Sequence, residues 1–185
     1  MNHPRRLTLG LCHTLVVALA LVRPPPALSE PTEQEVKAAL IFNITRFVEW
    51  PAGAFSSPGA PLVVAIMGND EVSLVLEPAL MQKSVNGHPV EVRHVRTADE
   101  ARKCHVLYVA HSEKKHADAI LSALHGTSTL TVAAIEHFAE RGGHINLVLE
   151  DQRVHVFVNA TSAEDSRLKI SAKLLSLAHI VGAIP

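Results

Sequence analysis

Cysteine, aromatic residues and runs of one charge are all scarce in this chain, and each scarcity excludes something. Of 185 residues only two are cysteine, Cys12 and Cys104, too few for a disulfide scaffold. Aromatic residues make up 4%, with one Trp and one Tyr. No basic run interleaves with them, which removes the usual footprint of a nucleic-acid binder. No G-x-S-x-G, P-loop or Rossmann glycine fingerprint is present, so neither an enzyme nor a cofactor-binding site has a signature here. What the chain has is apolar content, 48% hydrophobic residues, enough for the core of one globular domain.

Residues 1–29 read as a signal peptide. Arg5 and Arg6 precede an uncharged apolar run, Leu7 to Val22, and Ala27-Leu28-Ser29 has the small-x-small form of a cleavage site, with cleavage expected after Ser29. The run is also near the lower limit for a membrane span, so a retained anchor is the alternative. Removal takes Arg5, Arg6 and Arg23 and leaves 14 Lys and Arg against 18 Asp and Glu, a net charge of −4. The mature protein is therefore expected in the periplasm, with Cys104 as its one cysteine. Cys104 precedes an apolar strand and reads as a small buried hydrophobe, an intermolecular bridge being the alternative.

Within 30–185 the longest periodic stretch is Val36 to Pro51. Thr32 and Glu35 form a T-x-x-E capping box before it. Val36, Leu40, Asn43 and Phe47 share a stripe widened by Ala39, Ile44 and Val48, with Lys37, Arg46 and Glu49 on the wet side, so the spacing predicts a helix ending near Glu49, before Pro51. Next come Leu62–Met67, a strand covered on both faces, and a helix from Val72 to Gln82, kinked or split at Pro78. Asn86-Gly87 turns into a half-buried strand, Val90 to Val95, followed by a short helix from Ala98 to Lys103 opened by Thr97 or Asp99. Val106 to Ala110 is a second buried strand, His116 to Leu124 a helix closed by Gly126, Leu130 to Ala133 a strand, and Ile135 to Glu140 one or two helical turns. Ile145 to Leu149 and Val154 to Val158 read as a hairpin, and Ser171 to Val181 as a second amphipathic helix. Alternating strands and helices predict a three-layer α/β domain over 30–185. Its sheet of about six strands is mostly parallel, with an antiparallel C-terminal hairpin and helices on both faces.

The order VKAALIFNITRFVEWP, LVVAIMGND, VNGHPVEVRHV, CHVLYVA, TLTVAAIEHFAERGGHINLVLED, RVHVFVN and LKISAKLLSLAHIV resembles the YfiR-like family of bacterial periplasmic proteins across nearly all of the expected mature chain. The most specific pieces are F-V-E-W-P (Phe47, Trp50 and Pro51 included), F-A-x-x-G-G-x-I (Phe138, Ala139, Gly142, Gly143, Ile145) and L-x-I-S-x-K-L-L from Leu168 to Leu175. None is a catalytic signature, and these motif residues read mainly as structural. The resemblance implies a non-enzymatic, dimeric regulator that represses a membrane-bound diguanylate cyclase through its periplasmic sensor region, lowering cyclic-di-GMP and restraining biofilm formation. It also implies disulfides, which a single mature cysteine cannot form internally. A homodimer held without a covalent bridge is the expectation, through the first and last helices or the hairpin edge.

Chemistry-bearing residues admit a second function, a periplasmic small-molecule sensor or carrier. Asn69 and Asp70 follow one parallel strand, and Ser112 and Glu113 follow another. Carboxyl ends of parallel strands are where open α/β sheets bind ligands. Turn formation and helix capping are the competing roles. His111, Glu113 and His116, with His105 upstream, are the nearest approach to a metal set, but their spacing is not that of a zinc helix, and solvated loop residues are the expectation. His144 and His155 are candidates to face each other across the hairpin. His179 is placed near a helix end. Trp50, Phe47 and Phe55 read as packing residues, with an exposed partner patch as the alternative.

Overall fold

The computed structural model describes residues 30–182. The expected signal peptide, 1–29, lies outside the described residues, as does Cys12. The first helix, α1 (Glu33–Thr45), opens on the predicted capping box. Thr32 Oγ1 accepts from the Glu35 N–H at 3.3 Å, and the Glu35 carboxylate accepts from the Thr32 N–H at 2.8 Å. The buried stripe is Ala38, Ile41, Ile44 and Thr45, so Asn43 and Ala39 face solvent. Lys37, expected on the wet side, is 8% exposed. The helix ends at Thr45 rather than near Glu49, because Val48–Glu49 (β1) instead pairs antiparallel with Lys169–Ile170 (β9).

The main sheet has eight strands. They are β2 (Leu62–Met67), β3 (Ser84–Val85), β4 (His88–Val95), β5 (Val106–Val109), β6 (Leu130–Ala133), β7 (Ile145–Glu150), β8 (Arg153–Asn159) and β10 (His179–Val181), in spatial order β10-β8-β7-β6-β5-β2-β4-β3. All neighbours are parallel except β3 with β4 and β7 with β8. Every residue of β2 is buried, and its side chains alternate between two cores. Leu62, Val64 and Ile66 join Ile41, Ile44 and Tyr108, together with Leu76 of α2 (Glu71–Leu80). Val63, Ala65 and Met67 join Ala101 of α3 (Ala98–Ala101) and Ala117 and Ile120 of α4 (Ala117–Leu124). Full burial of one Leu or Ile contributes about 1.5–3 kcal/mol, so a strand buried on both sides anchors both layers. The fold is the expected three-layer, mostly parallel α/β arrangement.

Local details depart from expectation for physical reasons. Pro78 does not split α2; it sits in the last turn, exposed, where its i−4 carbonyl can reach water. Ile135 to Glu140 forms turns rather than a helix, with the Phe138 N–H donating to the Ile135 carbonyl. Short α5 (Ala160–Asp165), capped by Asn159, follows β8. The expected C-terminal helix shrinks to α6 (Ala172–Leu175), after which His179–Val181 adds to the sheet parallel to β8. The hairpin is therefore not a sheet edge, and His179 lies in a strand rather than at a helix end.

Candidate functional site

From β2 the chain passes through α2 to β4 on one side. It then returns through α3 to β5 on the other side of β2. Because α2 covers one face and α4 the other, the loops leaving the carboxyl ends of β2 and β5 diverge. Such a reversal leaves a crevice at the strand ends.

Asn69, Asp70 and Ser112 meet there. The Asn69 N–H donates to Ser112 Oγ at 2.9 Å. Asp70 Oδ2 accepts from Tyr108 Oη and from the His111 N–H, both at 2.8 Å, and its Oδ1 accepts from the Ser73 N–H at 2.7 Å as the cap of α2. Burial and the adjacent Asp70 charge push the Tyr108 phenol above its ordinary range. Gly68, at φ +80°, allows the approach, since a Cβ there would lie 2.4 Å from Ser112 Oγ and 2.7 Å from Glu113 Cγ. Glu113 itself turns to His116 Nδ1 at 3.1 Å. Both oxygens of Asp70 are thus engaged in tying β2, β5 and α2 together.

A cleft of ≈ 510 Å³ opens beside these residues, bounded also by Glu33, Gln34, Glu71 and Val72. A second cleft of ≈ 470 Å³ continues from it over the ends of β6 and β7, and Lys37 and Ala134 line both. Lys37 Nζ is paired with the Glu33 carboxylate. The second cleft contains Asn146 and Glu140, residues that strand-end reasoning did not reach. The sequence held no clear signal for Asn146: it falls on the alternate face from Ile145, Leu147 and Leu149, where a polar residue is ordinary, and only the structure shows it 2% exposed.

The histidines separate into packing groups. Phe55 is stacked between His88 and His105, with ring centroids at 3.8 and 4.3 Å. His105 Nδ1 accepts from the Val63 N–H at 3.0 Å. Burial, with smaller contributions from His88 and Arg93, lowers the His105 pKa, against the bond to the Ala54 carbonyl. His144 does not face His155. It is buried, its Nδ1 accepting from the Thr131 N–H at 2.9 Å and its Nε2 lying 3.0 Å from Ser166 Oγ. His155 instead meets His179 on β10, Nδ1 to Nε2 at 3.2 Å. Among the described residues no three His, Cys, Asp or Glu side chains gather to hold a metal. Cys104 is buried beneath the end of α3, 3.6 Å from the Glu100 carbonyl, and burial raises its thiol pKa.

The sequence motifs have structural work. Trp50 Nε1 donates to the His105 carbonyl at 3.2 Å, and the Ala54 N–H donates to the Pro51 carbonyl at 3.1 Å. Phe47 packs against the core, its carbonyl accepting from the Ser171 N–H at 2.9 Å. Gly143 lies against Phe138, where a Cβ would come within 2.3 Å of the ring, and the Gly142 carbonyl accepts from Ser162 Oγ at 2.6 Å. The first and last motifs meet where Val48 pairs with Ile170.

The fold is thus that of an α/β domain with a cleft at its strand reversal, and its motif residues hold that fold. The chain belongs to the YfiR/HmsC-like family, which it matches over residues 34–179. No curated protein matches it. Among solved structures it is similar to a conserved domain protein from Vibrio cholerae O1 biovar El Tor, with a TM-score of 0.55 and 15% identity, covering 82% of this chain and 61% of that one. A weaker similarity is to the ligand-free, open form of CD0873, a substrate-binding protein with adhesive properties from Clostridium difficile. There the TM-score is 0.45 at 15% identity, covering 66% of this chain and 55% of that one. The chain therefore spans about three-fifths of the length of these structural relatives or less.

Proposed function

We propose that this protein is an exported, non-enzymatic regulatory binding protein that holds a membrane-bound diguanylate cyclase inactive from the periplasm. The observation that carries the reading is the family match over residues 34–179, nearly the whole α/β domain. The family is a regulatory one. The motif residues support the reading because they make hydrogen bonds and packing contacts within the fold rather than presenting a nucleophile with a base. The regulator acts as a homodimer after cleavage near Ser29, and its partner is the sensor region of an inner-membrane signalling protein. Deleting the gene is expected to raise cyclic-di-GMP and surface attachment, and an epitope-tagged copy is expected to recover the cyclase from detergent-solubilised membranes. Unchanged cyclic-di-GMP together with no cyclase recovered would overturn the proposal.

A further inference from the structure

The cleft over the ends of β6 and β7 holds hydrogen-bonding groups that the fold leaves unused. Asn146 Oδ1 and Glu140 Oε2 are buried, and neither has a hydrogen-bond partner among the described residues. Asn146 as a whole is 2% exposed and lines the cleft. A buried polar atom without a partner costs about 1–3 kcal/mol, so two such atoms on residues that line one cleft are not neutral to the fold. Both are acceptors, so what completes them must donate.

The charge around them has one prevailing sign. Glu136, Glu140 and Glu150 line the same cleft. Its one lysine among the described residues, Lys37, is already paired with Glu33, and Lys114 approaches Glu136 only to 3.9 Å. His137 lies 3.8 Å from the other oxygen of Glu140, leaving Oε2 without a partner among the described residues. The remaining wall is apolar, with Ile135, Leu147 and Phe157. The volume, ≈ 470 Å³, is within the range of small-molecule sites.

We propose that this cleft binds a small organic ammonium ion, whose N–H groups donate to Asn146 Oδ1 and Glu140 Oε2 and whose hydrocarbon body lies against Ile135, Leu147 and Phe157. An alcohol would supply one donor and no charge, and a carboxylate none at neutral pH. The ammonium supplies several donors and a charge opposite to that of the wall. The site is separate from Asp70, whose oxygens are engaged, and the proposal stands independently of which membrane protein is regulated.

The test is calorimetric titration of the exported chain with hexylamine, hexan-1-ol and hexanoate, which share one hydrocarbon body. Hexylamine is expected to bind once per chain and at least tenfold more tightly than hexanol, with hexanoate giving no binding. Asn146→Leu and Glu140→Gln should each weaken hexylamine at least tenfold. Asn146→Leu should also melt no lower than the parent, because it replaces an unpartnered acceptor by an apolar group of similar size. Absence of hexylamine binding, equal binding of hexanol, or binding that survives both substitutions overturns the proposal. So does a lowered melting temperature for Asn146→Leu, which would mean that its amide is already paired within the fold.

Discussion

His144 ties three elements together, and replacing it should change how stability depends on pH. Its Nδ1 accepts from the Thr131 N–H, so that nitrogen must be unprotonated, while Nε2 faces the Ser162 carbonyl and Ser166 Oγ. Burial lowers the pKa of the imidazole from 6.5 to about 4, the bond to the Ser162 carbonyl opposing this. Between those values the unfolded chain binds a proton that the folded chain does not. Stability is therefore complete above about pH 6.5 and falls as the pH drops towards 4. At 1.36 kcal/mol per pKa unit, the loss attributable to this group approaches about 3 kcal/mol. His144→Phe keeps a ring of similar size and removes the titration. At neutral pH it strands the Thr131 N–H and the Ser166 hydroxyl, while the Ser162 carbonyl keeps the Ser166 N–H, so it should be less stable by about 2 kcal/mol. Near pH 4 the wild type will have lost at least as much, and the two proteins should be equal or reversed in order. Urea unfolding of both at several pH values measures the difference, in which titrations common to both proteins cancel. A difference that stays constant from pH 7 to pH 4 would refute the reasoning.

Gly143→Ala drives a Cβ into the Phe138 ring and should destabilise by about 1–3 kcal/mol, read as a lower urea midpoint with an unchanged slope. Asp70→Ala removes the α2 cap and the acceptor for Tyr108 and His111; a loss of at least about 2 kcal/mol is expected, and a near-neutral effect in chemical denaturation would show that Asp70 is not a tie between strands. Cys104→Ser should leave the sedimentation coefficient of the proposed homodimer unchanged with or without reductant, since the thiol is buried; a monomer appearing only after the substitution would make Cys104 an intermolecular bridge.

The fold was legible where one physical signal dominated. At the centre of the sheet, an unbroken apolar run such as Leu62–Met67 has one low-cost home, a strand covered on both faces. The ends were less legible because there two local preferences compete. Val48 on the stripe and Glu49 on the wet side both continue the helical pattern before them, but pairing with Lys169 and Ile170, far away in the chain, takes them into β1. Ser171 to Val181 has helical periodicity, yet the free edge of β8 offers backbone hydrogen bonds to His179–Val181 that another helical turn cannot match. Tertiary pairing of this kind has no local sequence signal.

The same distinction governs the cleft. A rule about strand ends finds Asn69, Asp70 and Ser112, and the structure does bring them together. The rule cannot tell an available polar group from an engaged one. That depends on Tyr108, His111 and Ser73, which complete Asp70 from a different strand, a short 3-10 turn and a helix. Asn146 carries the opposite lesson. A polar side chain is expected to find a partner when buried, and its Oδ1 has none among the described residues. Its neighbour in the sheet, Ala133, is the last residue of β6. Beyond it the chain turns away into Ala134 and Ile135, and the sheet opens onto the cleft beside Asn146. The end of one short strand thus leaves both the space and the unsatisfied acceptor in the same place, and neither can be read from either segment alone.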